Sequence, residues 1–101
     1  MTRWAAIFED NAPEIAGPLR ERHFADHLTY LEAHRDRIVL AGPLRSEPDA
    51  MPTGGLWVIE TPTREEAVRI IETDPFFVHG MRKGYKLLIW GKAPFYGDVT
   101  L

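Results

Sequence analysis

The chain contains no cysteine. Disulfides, thiolate nucleophiles and zinc–thiolate centres are therefore excluded, and any metal would have to be held by histidine and carboxylate alone. Serine occurs once, at Ser46, outside any Gly-x-Ser-x-Gly, which removes the nucleophile elbow of a serine hydrolase. No stretch approaches the roughly 20 apolar residues that span a bilayer, and Met1-Thr2-Arg3-Trp4 lacks the apolar core of a signal peptide. The expected setting is the cytoplasm, with no membrane partner. A surplus of basic charge is also missing: 12 Lys plus Arg stand against 15 Asp plus Glu, a net charge of −3, and the basic residues are scattered. Phosphate backbones require a basic face, so nucleic acid is not an expected partner. Gly54-Gly55 belongs to no GxGxxG or Walker pattern and is read as turn geometry rather than as a phosphate cradle. Repeats, heptads and low-complexity runs are absent as well.

What is present is the composition of a small globular protein. The 101 residues are 45% hydrophobic and include three Trp, five Phe and three Tyr. A single domain over 1–101 is expected, and a chain of that size buries only roughly 60–65% of its unfolded surface. Its stability must come from a tight core or from a partner subunit.

Along the chain, Arg3 to Phe8 is a short apolar and aromatic run closed by Glu9-Asp10-Asn11, which predicts a first strand. Ala12 to Gly17 is read as a connector, and Pro18 as the first residue of a helix running to about His34. Phe24, Leu28 and Leu31 share one helical face, which is expected to pack on a sheet. Arg37 to Ala41 predicts a second strand, ended by Gly42-Pro43 because proline cannot continue a ladder. The loop Leu44 to Thr53 carries Pro48 and Pro52 and is long enough to suggest a mobile binding loop or lid. Gly54 to Glu60 predicts a third strand that is apolar on both faces, Leu56 and Val58 on one and Trp57 and Ile59 on the other. Two helices cover only one face of a sheet, so a second copy of the chain is the economical cover for the other. Thr63-Arg-Glu-Glu66 matches a capping box and opens a second helix to about Thr73, with Ala67, Ile70 and Ile71 facing the sheet. Tyr85 to Trp90 is the last strand, and Gly91 to Leu101 a tail containing Phe95 and Tyr96. The order βαββαβ is that of a ferredoxin-like α+β sandwich.

Chemistry is concentrated in two places. His23, His27, Tyr30 and His34 fall on one stripe of the first helix, at the border of its apolar face. His23 and His34 are read as a polar helix edge without partners. Asp74 precedes Pro75, a combination that stops a helix and turns the chain. His23 and His27 at i and i+4 make a metal triad arithmetically possible, but no HExxH is present, and neither a metal nor a cofactor is expected. Arg45, in the long loop, is a candidate anchor for an anionic group, and Phe76 a candidate wall of a small-molecule pocket.

These pieces, His27-Leu-Thr-Tyr-Leu-Glu running on to Leu40-Ala-Gly-Pro-Leu44 and then Asp74-Pro75-Phe76, resemble the YCII-related family in order and spacing over nearly the whole chain. The resemblance implies a ferredoxin-like subunit that dimerises into an α+β-barrel, with a His/Asp pair in a cleft: His27 as the functional imidazole and Asp74 as its partner. Tyr30, Arg45 and Phe76 would then contact a small-molecule ligand. Because the stretch from His27 to Ala41-Gly42-Pro43 is slightly shorter than in many members, the turn at Arg35-Asp36 is expected to be tight. The resemblance extends to muconolactone-isomerase-like and dehydrochlorinase-like α+β-barrel proteins. It implies a cofactor-independent isomerase or lyase that moves protons on a small organic substrate. The competing expectation is a non-catalytic metabolite-binding or structural module of the same fold, since ferredoxin-like scaffolds serve many functions.

Overall fold

Alternation along the first strand sets the two sides of the molecule. In the computed structural model, which describes residues 1–98, β1 (Thr2–Asp10) buries Trp4, Ala6, Phe8 and Asp10 and turns Arg3, Ile7 and Glu9 outward. A period of two places each set on its own face of a sheet. β1 lies in the centre, paired antiparallel with β3 (Gly54–Thr61) on one side and with β4 (Arg82–Ile89) on the other. β2 (Ile38–Leu44) adds to β3, giving the order β2-β3-β1-β4. With α1 (Pro13–Ala33) and α2 (Arg64–Thr73) as the two crossovers, this is the ferredoxin-like βαββαβ fold.

Both helices cover the face that carries Trp4, Ala6, Phe8, Trp57 and Ile59. Ala67 and Ile71 of α2 are fully buried there, and Tyr30 and Leu31 of α1 pack alongside. Truncating a side chain such as Ile71 to alanine in a core of this kind costs about 2–5 kcal/mol. The opposite face is open. Register pairs Ala5 with Val58 and Leu88, Ile7 with Leu56, and Leu40 with Val58, so these residues form one apolar surface, on which Ile7, Leu40, Leu44 and Leu88 are each exposed.

Several boundaries differ from the sequence expectation. α1 begins at Pro13, not Pro18. Pro13 fills the first-turn position where a missing N–H costs nothing, and Pro18 lies inside the helix, leaving only the exposed Glu14 carbonyl without its donor. β2 runs on through Gly42 and Pro43 to Leu44, which proline permits because β2 is an edge strand. β4 starts at Arg82, three residues before Tyr85, and a short helix, α3 (Pro75–Val78), follows α2. Gly54 and Gly55 lie within β3, not in a turn. A Cβ at Gly54 would overlap the Phe8 carbonyl oxygen of the neighbouring strand, so close backbone approach is what glycine provides there.

Other details follow the chemistry of the sequence. The Thr63 hydroxyl accepts from the Glu66 amide at 3.2 Å and caps α2. The turn after α1 is tight, with the amides of Arg37 and Ile38 both donating to the His34 carbonyl. The Thr53 amide donates to the Leu44 carbonyl and closes the long loop at its base. Of the tail, residues 99–101 lie outside the described residues, while Phe95 and Tyr96 are exposed.

Candidate functional site

Asp74 is the junction of two helices. Its amide donates to the Ile71 carbonyl at the end of α2, and its own carbonyl accepts from Phe77 and Val78, both at 2.9 Å, at the start of α3. The residue before a proline is driven to extended geometry, and Asp74 sits at φ −61°, ψ 136°. Backbone groups make these caps, so the carboxylate is left free. It reaches His27 instead: Oδ1 lies 2.7 Å from the His27 Nδ1, with Asp74 1% and His27 8% exposed. A carboxylate oxygen only accepts, so Nδ1 carries a proton, and in the neutral ring Nε2 keeps the lone pair. Nε2 has no hydrogen-bond partner among the described residues, yet it is not sealed from solvent. Phe76, two residues on, stacks on the imidazole with ring centroids 4.0 Å apart and planes 15° from parallel, and Trp57 lies beyond at 6.2 Å.

The imidazole lines a cleft of about 210 Å³ between α1, β2, β3 and α3. Its walls are mainly apolar. Phe24 and Leu28, expected to pack on the sheet, instead border this opening and remain about half exposed. The ionisable side chains facing the cleft are His27, Arg20, Arg45 and Arg82.

A second polar cluster stands behind one wall. A bulge between β1 and β4 brings Asp10 opposite Arg82, as bulges beside sites commonly re-aim a side chain. Arg82 Nη1 donates to Asp10 Oδ1 at 3.0 Å, and Arg20 Nη2 donates to Oδ2 at 2.6 Å. Asp10 and Arg82 are each 8% exposed. Burial pulls the Arg82 guanidinium below its ordinary range, and the Asp10 charge and hydrogen bond oppose that.

The residues singled out from sequence are distributed unequally. His27, Asp74 and Phe76 come together. Arg45 stands at the exposed rim with its Nε donating to the Ala50 carbonyl at 3.0 Å. Tyr30 does not line the cleft: it packs against the main core, and its hydroxyl donates to the Ile70 carbonyl at 2.7 Å. Burial and the nearby Asp74 charge push that hydroxyl's pKa up. His23 and His34 do have partners: His23 stacks on His79 at 3.7 Å, and His34 donates through Nδ1 to the Tyr30 carbonyl at 2.9 Å. Among the described residues no three His, Asp or Glu converge as metal ligands. Sequence reasoning missed Asp10, Arg20 and Arg82. The signal was available, because Asp10 continues the inward series Trp4, Ala6, Phe8, and a carboxylate on a buried face requires a cation.

Comparison with known proteins agrees with this architecture. The profile of the YCII-related domain matches residues 3–91. Among solved structures, 5-chloro-2-hydroxyhydroquinone dehydrochlorinase from Burkholderia phenoliruptrix, in complex with 2,5-dihydroxybenzoquinone, is similar in fold, with a TM-score of 0.75 and 23% identity over 89% of this chain and 95% of that one. Comparison with curated proteins gives no significant match.

Proposed function

This chain belongs to the YCII-related domain family, and from that premise we propose that it is a small enzyme of cofactor-independent proton transfer on a small organic substrate, with His27 as the acid–base group and Asp74 orienting it. The observation that carries the reading is the buried 2.7 Å contact between His27 Nδ1 and Asp74 Oδ1, which leaves Nε2 as the basic atom at the cleft. Nε2 takes a proton from the substrate and becomes imidazolium beside a carboxylate that stabilises the cation. The electron pair left on the substrate then either captures the returned proton at another carbon, an isomerisation, or expels a leaving group with its bonding pair, an elimination. Asp74 stays ionised throughout. The apolar walls and the ring of Phe76 suit a planar substrate, and the fold relative was solved with 2,5-dihydroxybenzoquinone.

The same reading includes a homodimer in which a second copy covers the open face around Leu40, Leu56 and Leu88. The test of the chemistry is a screen of small cyclic enols, enones and halogenated hydroquinones, following substrate consumption. Turnover is expected to fall by about 10²–10⁴ in His27→Ala. Turnover undiminished in that variant would refute the role of His27.

A further inference from the structure

We infer that the cleft takes an organic anion: Arg82, supported by Arg20, receives the oxyanion of a small planar acid whose ring lies along Phe76 toward His27. This deepens the reading of the cleft as a substrate site and rests on it. The first observation is the sign of the lining. Every ionisable side chain facing the cleft is basic, while the nearby carboxylates are turned to other partners, Asp74 to His27 and Asp10 to the two arginines.

The second observation is that the arginines are under-satisfied. Asp10 gives one oxygen to each of two guanidiniums, and the other nearby carboxylate, Asp74, acts on Arg82 through its charge alone while its hydrogen bond goes to His27. Arg82 Nε and Arg20 Nη1 are buried with no hydrogen-bond partner among the described residues. Arg82 Nη2 makes no hydrogen bond among the described residues and, unlike Nε, is not shut off from solvent. A buried group left in this condition costs stability, more so when it is charged. A ligand oxyanion in the cleft supplies the acceptor that Arg82 Nη2 lacks, and a guanidinium matches a carboxylate or enolate in geometry.

The site is also built to hold Arg82 in place. Its guanidinium lies 4.3 Å from the centre of the Phe8 ring. A Cβ on Gly55 would stand 3.1 Å from Nη1, so glycine leaves the room the group occupies. Phe76 links the two halves of the cleft: its ring stacks on His27 and lies 5.5 Å from the Arg82 guanidinium and 5.9 Å from that of Arg20. An acid bound through its oxyanion thus presents its ring to the stacking surface beside the imidazole. Arg45, engaged with the Ala50 carbonyl at the rim, has the lesser part in this recognition.

The test uses the full chain and two probes of nearly equal shape, benzoate and neutral benzamide, with affinities read by NMR titration. Benzoate is expected to bind at least about tenfold more tightly than benzamide, the difference a hydrogen bond to a charged group supplies. Arg82→Gln and Arg20→Gln should each weaken benzoate by about three- to tenfold and leave benzamide unchanged. If Arg82→Gln fails to fold, Arg20→Gln decides, because the Arg20 side chain is one-fifth exposed and its loss leaves Asp10 paired with Arg82. Equal affinity for the two probes, no binding of either at millimolar concentration, or a benzoate preference undiminished in Arg20→Gln would overturn the assignment. Failure here is separable from failure of the proton-transfer reading, which is judged by turnover in His27→Ala.

Discussion

Phe76 stacks on the face of the His27 ring at 4.0 Å while Asp74, two residues earlier, holds the same ring by its edge at 2.7 Å. One short segment at the start of α3 therefore fixes the imidazole in both position and tilt. Since α3 begins where Pro75 ends α2, the helix stop that the sequence advertises is also what aims the carboxylate.

From this follows an expectation for Asp74→Asn. The amide keeps the shape but replaces a charge-assisted hydrogen bond by a neutral one of roughly half the strength. In the wild type, ¹⁵N–¹H NMR should show a protected Nδ1–H proton on His27. In the variant it should exchange faster and resonate upfield, with stability lower by about 1–3 kcal/mol. Identical spectra would show that the two residues are not coupled.

The homodimer is expected to appear in sedimentation equilibrium at micromolar concentration. Leu40→Glu, on the open face of β2, should convert it to a folded monomer by placing a charge in the apolar contact. A wild-type monomer under these conditions would refute the packing proposed for that face.

At Gly54 the space for a side chain is occupied by the Phe8 carbonyl oxygen. Gly54→Ala must push β1 and β3 apart and is expected to cost about 2–4 kcal/mol in chemical denaturation. Gly42→Ala, where no atom of the described residues lies within 4 Å of the added carbon, should change the stability of the single subunit by no more than about 0.5 kcal/mol.

The alkaline limit of stability should carry a contribution from Tyr85. Burial, followed by its hydrogen bond to Glu72 and the charge of that carboxylate, pushes the phenol up to about 12 from 10.0. A folded-state value above the unfolded one means that the folded chain holds the proton more firmly. The contribution is fully present below pH 10 and is lost as pH rises toward about 12. Tyr85→Phe should lack this loss when unfolding is followed across that range.

The fold was legible because its signals are local. The apolar and aromatic run of β1, the capping box at Thr63 and the apolar spacing of α2 each act within a few residues. The start of α1 is not legible locally because Pro13 and Pro18 both suit a first helical turn, and only the burial of Ala16 against Phe76 and Met81 selects Pro13. The extension of β2 through Pro43 depends on its being at an edge, a property of strand order rather than of sequence. In the candidate site, family resemblance supplied the pairing of His27 with Asp74. The cluster of Asp10, Arg20 and Arg82 was invisible because its members come from β1, α1 and β4, and no local rule brings them together.

That same cluster bears on how the protein is made. Asp10 and Arg82 are 72 residues apart in sequence, and β1, the earlier of their two strands, is flanked on both sides only when β4 is laid beside it. Contacts of such long range form late, after the entropy of closing the intervening chain has been met. The residues of both long helices and of the β2–β3 hairpin precede β4 in the chain, and until β4 is added one wall of the cleft lacks its arginine and Asp10 has only Arg20 to satisfy it. The imidazole and its carboxylate can be synthesised, and even meet, before the pocket exists, so the anion recognition proposed above requires β4 to be in place.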